Sequence, residues 1–436
     1  MGPLRSILGP ATKLDMKRSN RFGLVLALGL SLMAAVSPFE LQLKEKDHKK
    51  IGDSLTIYYE SVRTKKGVAK AKNDLQGVLD KFNQALSKKA KTEVDILSLT
   101  EDMTASFLWA GVSESRVTLG KIKEYTFETP FGPIECAIHA PKKYKASKGP
   151  VPLILSVPAE GQMLSQHLNE DWMLGDVRDN AIIATLQMPK NVDLWGKSSR
   201  EPIGGLETIM FGLGEIIKMY SVDPDRIFLS GRGDGVEAAA YVASIFPSTF
   251  AGLLGRSGDL KETGPKNFGN MNAYFSGGGS NVTAFGESAA ELGYKTVTIE
   301  PDGTIESAWQ WISSHSRFAN PAKVDFEIKS PYAAQAYWIS AEGFDPEEEP
   351  VVSGEIDREK NVIVITANNI ASVVLFLNDS LVDLDREVTV ICNGVERKDK
   401  FTRSLTIALN QYYNSNDAGR VYTAFKSYDI PKIQEK

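Results

Sequence analysis

Between residues 153 and 299 the chain carries six short, unbroken apolar runs: LILSV (153–157), AIIATL (181–186), RIFLS (226–230), AGLLG (251–255), NAYFS (272–276) and KTVTI (295–299). A strand with one wet face alternates apolar and polar residues, so an unbroken run must be covered on both faces. Helical stretches separate these runs. Leu206, Ile209, Met210, Leu213, Ile216, Ile217 and Tyr220 keep one stripe, and residues 236–245 and 282–292 follow later runs. The expected fold class is α/β, a mostly parallel sheet with helices on both faces, over residues 121–321. An antiparallel pair (125–128 and 134–140) leads into it, turning at Pro130-Phe131-Gly132-Pro133.

The flanks have a different texture. Residues 38–120 are Lys-rich, and Leu75, Val78, Leu79, Phe82 and Leu86 mark one helical face, so a helical region is expected there, with 87–93 as a loop. Beyond residue 321, VDFEI, AYWISAE, NVIVITA, VVLFLN and VTVICNG are punctuated by Asp-Pro, Asn-Asp and Asn-Gly. That pattern predicts a small antiparallel β module over 322–436, with a helix and a last strand within 403–424. A chain of 436 residues is long enough for a large core with such additions.

At the N-terminus, Lys17, Arg18 and Arg21 precede an uncharged run from Phe22 to Val36. Fifteen helical residues span only about 22 Å, the length of an export-signal core rather than of a bilayer span. Residues 1–37 are therefore expected to be a signal peptide or N-terminal anchor. The first reading is a processed, exported protein, periplasmic or extracellular. The second is an uncleaved anchor, because Pro38 would follow the cut, and that segment is then the only membrane contact. A net charge of −5 lacks the basic footprint of a nucleic-acid binder. Two cysteines, Cys136 and Cys392, make no disulfide framework, and four scattered histidines make no metal motif. Neither metal nor cofactor is expected.

The run VDPDRIFLSG leads into Gly231-Arg232-Gly233-Asp234-Gly235 and then a small-residue helix. Strand, glycine turn and helix are the setting of the G-x-S-x-G nucleophile elbow. This stretch resembles the α/β-hydrolase superfamily, in particular secreted esterases and polyhydroxybutyrate-depolymerase-like and prolyl-oligopeptidase-like proteins. AWQWISSHSRFANPAKVDFEI resembles the family's last helix and exit, and the C-terminal module with VTVICNG and RSLTIAL resembles the appendage of planctomycete-type members.

The resemblance implies a nucleophile at the turn, an acid after NAYFS and a base histidine after KTVTI. At the turn stands Gly233, at the acid position Ser280 or its neighbour Asn281, and at the base position Thr304. The oxyanion loop reads Pro158-Ala159-Glu160-Gly161, and the Glu160 carboxylate would oppose a developing oxyanion. Serine hydrolysis needs nucleophile, base and acid together. Glycine at the turn also relieves a strained backbone. The implied protein is a pseudo-hydrolase whose cleft, lined by Pro158, Ala159, Glu160, Arg232 and Asp234, binds a small molecule, ester, peptide or glycan. The alternative is an active serine esterase or peptidase with a relocated nucleophile and base. Ser230 and His167 are its candidates; His315 lies about 16 Å along the last helix. Trp172 and Trp195 are expected in the core, or as stacking platforms if they line the cleft. Asn281-Val282-Thr283 and Asn378-Asp379-Ser380 match glycosylation sequons.

Overall fold

The computed structural model describes residues 42–110 and 117–432, so the expected signal or anchor segment lies outside the described residues. Three helices come first: α1 (Glu45–Thr64), α2 (Val68–Ala90) and α3 (Thr100–Leu108). Leu75, Leu79 and Leu86 of α2 are buried with Ile51, Leu55 and Phe107, the face that their spacing predicts. One correction applies at its end. Residues 87–90 continue the helix, with Lys88 and Lys89 in the last turn, where cations suit the negative helix end. Among the described residues no helix is long and apolar enough to cross a membrane.

Next come β1 (Ile122–Thr129), β2 (Gly132–His139), β3 (Val151–Val157), α4 (Leu164–Asp171), α5 (Gly175–Asn180), β4 (Ile182–Leu186), α6 (Gly205–Met219), β5 (Val222–Arg232) and α7 (Gly235–Ile245). They are followed by β6 (Gly252–Arg256), β7 (Asn272–Ser276), α8 (Ser280–Glu291), β8 (Val297–Glu300) and α9 (Ile305–Ser314). The eight strands form one sheet in the order β1-β2-β4-β3-β5-β6-β7-β8. β2 runs antiparallel to β1 and β4; the strands from β4 to β8 are parallel. One face is covered by α6, α7 and α8 over Leu155, Leu229 and Phe275. The other is covered by α4, α5 and α9 over Ile154, Phe228 and Tyr274. Cover on both faces is why β3, β4 and β6 are buried along almost their whole length, whereas the edge strand β8 is partly exposed. The α/β class read from the sequence is the fold observed.

The last part contains β9 (Lys323–Glu327), β10 (Gln335–Ala336), β11 (Ile339–Phe344), β12 (Val351–Asp357), β13 (Val362–Asn368), β14 (Ile370–Leu377), β15 (Val388–Cys392), β16 (Val395–Asp399), α10 (Leu405–Ser415) and β17 (Ala424–Asp429). Its strands make two sheets, β16-β15-β13-β12-β9 and β10-β11-β14-β17, which share one apolar core around Trp338, Ile363, Ile365 and Val373. The module is antiparallel, as expected, apart from one pair: β13 and β15 are parallel. Between them the chain crosses to the second sheet as β14, so it re-enters the first in its original direction. The helix α10 does not pack in this sandwich. Leu405, Ala408, Leu409 and Tyr412 are buried with α1, α2 and α3. Asn378 is buried with its amide donating to the Val421 carbonyl (3.1 Å), so this sequon presents no free amide. Cys136 and Cys392 are both buried and unpaired.

Candidate functional site

The turn after β5 is tight for a reason its glycines state. A Cβ on Gly231 would lie 2.2 Å from the Gly235 carbonyl oxygen, and one on Gly235 would lie 2.6 Å from that of Pro158. Between them Gly233 is left-handed (φ 52°), the strained conformation of an elbow apex, which glycine adopts freely. Any Cβ added there would meet the Ala159 Cβ at 3.0 Å. The loop after β3 therefore lies directly against the apex. Its Ala159 N–H, in the loop that gives an oxyanion hole one donor, is directed instead at Gln162 Oε1 (3.3 Å).

The acid and base positions hold helix ends. Ser280 is the exposed first residue of α8, and the nearby carboxylate, Asp259, accepts from the Val282 N–H (3.0 Å) at the start of that helix. Thr304 caps α9, accepting from the Ser307 N–H (3.3 Å). Before it, a Cβ on Gly303 would fall 2.3 Å from the Tyr274 hydroxyl, so this loop lies flat on the strands. His315 ends α9, stacked on Trp311 at 4.4 Å between ring centroids. No nucleophile, base and acid converge on the turn from these positions.

A different serine–histidine contact forms nearby. His167 Nε2 lies 2.8 Å from Ser156 Oγ, while its Nδ1 faces Gln162 Oε1 at 3.0 Å. Those partners assign the ring hydrogen to Nδ1, leaving Nε2 to accept from Ser156. Asp171 Oδ2 stands 2.6 Å from Nδ1 but off its N–H direction, four residues along the same helix. Burial, reinforced by the charges of Arg256 and Arg232, holds His167 below the usual imidazole range, so the ring is neutral. The alternative reading's two candidates, Ser230 and His167, are not hydrogen-bonded to each other. His167 meets Ser156 on β3, whereas Ser230, its register neighbour on β5, is buried with no partner on its hydroxyl. Ser156 itself is only 1% exposed and also accepts from Trp172 Nε1 (3.0 Å). Sequence reading missed it. Two signals were present: a lone hydroxyl in LILSV, and the i,i+4 spacing of His167 and Asp171.

Arg232 and Arg256 are register partners at the carboxyl ends of β5 and β6. Arg232 Nη1 pairs with Asp171 Oδ1. The Arg256 guanidinium lies over the Trp172 ring, 4.3 Å from its centroid, and Nη1 donates to the Asp171 carbonyl (3.3 Å). Of the residues expected to line the cleft, Pro158 is buried, Ala159 lies against the apex and Arg232 is paired with Asp171, while Glu160 and Asp234 are exposed. Trp172 and Trp195 line no cleft. Both are core residues, Trp195 donating to the Pro189 carbonyl (2.6 Å). Open space lies at the other end of β5, where a cavity of about 980 Å³ is bounded by α1, α6 and α10.

Strand order, the antiparallel second strand and the left-handed apex between β5 and α7 together give the chain the α/β-hydrolase fold. No protein-family model matches the sequence, and no curated protein matches it. Among solved structures, a thermostable esterase is similar, with 17% identity and a TM-score of 0.37 over 45% of this chain and 63% of its own. The S-formylglutathione hydrolase from Agrobacterium tumefaciens is 11% identical, with a TM-score of 0.36 over 46% and 97%. The acylaminoacyl peptidase of Pyrococcus horikoshii is 12% identical, with a TM-score of 0.33 over 44% and 39%. This chain spans less than two thirds of the esterase and of the peptidase.

Proposed function

We propose that this chain is an exported protein of α/β-hydrolase fold that binds its ligand without hydrolysing it. One observation carries the reading: the elbow apex is Gly233, and the Ala159 Cβ lies only 3.0 Å from where the first side-chain atom of a nucleophile would stand. Residues 280 and 304, the positions for acid and base, are helix ends without a carboxylate or an imidazole. Loss of one catalytic group costs several orders of magnitude in rate, and further losses add little. Export, to the periplasm or beyond the cell, rests on the basic and apolar pattern of residues 17–36. An ester, peptide or glycan bound near the elbow would be retained rather than turned over.

A second reading has its own support. The 2.8 Å contact between Ser156 and His167 is a nucleophile–base pair in kind. Burial of Ser156 and its bond from Trp172 oppose it. A fluorophosphonate probe and a chromogenic short-chain ester separate the two readings. The expected result is neither labelling nor turnover by the wild-type protein. Labelling that disappears in Ser156→Ala and in His167→Ala would establish the second reading instead. Gly233→Ser is expected to stay inactive, since the new side chain meets Ala159 and finds no base. Turnover in that single variant would overturn the assignment of positions 280 and 304.

A further inference from the structure

We propose that Arg256 and Arg232 form an anion site beside the elbow, suited to the carboxylate group of a small ligand. The inference deepens the binding reading and rests on it for biological meaning, while the site stands on contacts of its own. Register partners on parallel strands project to the same face, so the two guanidiniums are neighbours. Among the described residues one carboxylate joins them, Asp171, and Arg232 holds it. Arg256 is 8% exposed, makes no ion pair among the described residues, and has no protein acceptor on Nε or Nη2. A buried charge left unpaired is strongly disfavoured, and buried donors are nearly always satisfied.

More unsatisfied groups share that face. Thr185, Ser156 and Ser230 lie in one row across β4, β3 and β5, and the hydroxyls of Thr185 and Ser230 have no partner. With His167 neutral, two arginines against one aspartate leave a single excess positive charge. The complement is a monoanion. Nε and Nη2 lie along one edge of the guanidinium, and this fork takes both oxygens of a carboxylate side by side. Trp172 covers the guanidinium face at 4.3 Å, so a planar group in the plane of the fork fits better than a tetrahedral one. The exposed Glu160 and Asp234 at the rim repel dianions. Of the two arginines, Arg232 faces solvent, its side chain 41% exposed.

Titration calorimetry on the full chain tests this, with sodium acetate and sodium phosphate compared at pH 7 and constant ionic strength, and Tm shift as the second readout. Acetate is expected to bind one saturable site and raise Tm, with phosphate at least about tenfold weaker. Arg256→Gln should lose the acetate response by about tenfold or more. Arg256→Lys, which keeps the charge but not the fork, serves the same purpose if the first variant fails to fold. A wild-type protein without saturable acetate heat or Tm shift overturns the proposal. Equal responses to acetate and phosphate overturn the carboxylate assignment, and an unchanged response in both variants overturns the site. Because the readout is binding, ester turnover by the wild type would overturn the previous section's reading and leave this one standing.

Discussion

His167 and Arg317 show how a single buried ionisable group acts at the residue scale. Folding lowers the His167 pKa, chiefly by desolvation, with Arg256 and Arg232 adding to it. Below about pH 6.5 the unfolded chain binds a proton that the folded ring refuses, so stability is full above that pH and falls as pH drops. The urea midpoint should therefore decrease between pH 7 and pH 5, and less so in His167→Gln. A constant difference between the two proteins across this range would contradict the neutral, buried ring. Arg317 is a structural counterpart. Its side chain is 1% exposed, both terminal nitrogens reach Asp417 at 2.7 Å, and Nε and Nη2 reach Asp225 Oδ1 at 3.0 and 2.8 Å. Burial alone would raise the Asp417 pKa, but Arg317 and Arg420 hold it well below the carboxylate range. Removing one partner of such a group leaves a charge stranded, so Arg317→Met should cost about 3–5 kcal/mol by chemical denaturation.

At the scale of elements, helix crossings are set by where a side chain can be absent. Gly52 of α1 lies against α3 and the residue that follows it. A Cβ there would fall 2.3 Å from the Trp109 Cβ and 3.0 Å from the Ser106 carbonyl oxygen. Gly77 in the middle of α2 has nothing within 4 Å of its Cβ position. The same substitution should therefore have opposite signs. Gly52→Ala forces the helices apart and is expected to cost about 1–3 kcal/mol. Gly77→Ala should add about 0.5–1 kcal/mol by restricting the unfolded chain and favouring helix. Thermal unfolding of the two variants checks the contrast, and matching signs would mean that the crossing is more compliant than its contacts imply.

For the whole molecule, the helical layer draws on both ends of the chain. Tyr412 of α10 donates to the Ala110 carbonyl and Tyr59 of α1 to the Leu409 carbonyl, each at 3.1 Å. Asp417, just beyond α10, completes the Arg317 network that reaches the start of β5. A chain ending at residue 402 would lose α10 and Asp417 together, uncovering Tyr59 and Phe107. Limited proteolysis should then cut within residues 45–108 much faster than in the intact protein. Equal cutting rates would mean that α1, α2 and α3 hold together without α10.

Local chemistry was legible along the chain. Unbroken apolar runs require a sheet covered on both faces, and two flanking glycines with a third at the apex require a tight turn; neither inference needs a distant partner. The i,i+4 pair of His167 and Asp171 was readable as one helix face, but its target was not. Whether His167 meets Ser156 or Ser230 depends on how α4 settles on the sheet, since both hydroxyls point to the same face of adjacent strands. The same holds for Ala159 over Gly233, for α10 joining α1, and for the parallel pairing of β13 with β15. Each is a contact between segments far apart in sequence or between packed layers, settled by which faces must be buried together. Periodicity states that a face is apolar; only packing chooses its partner.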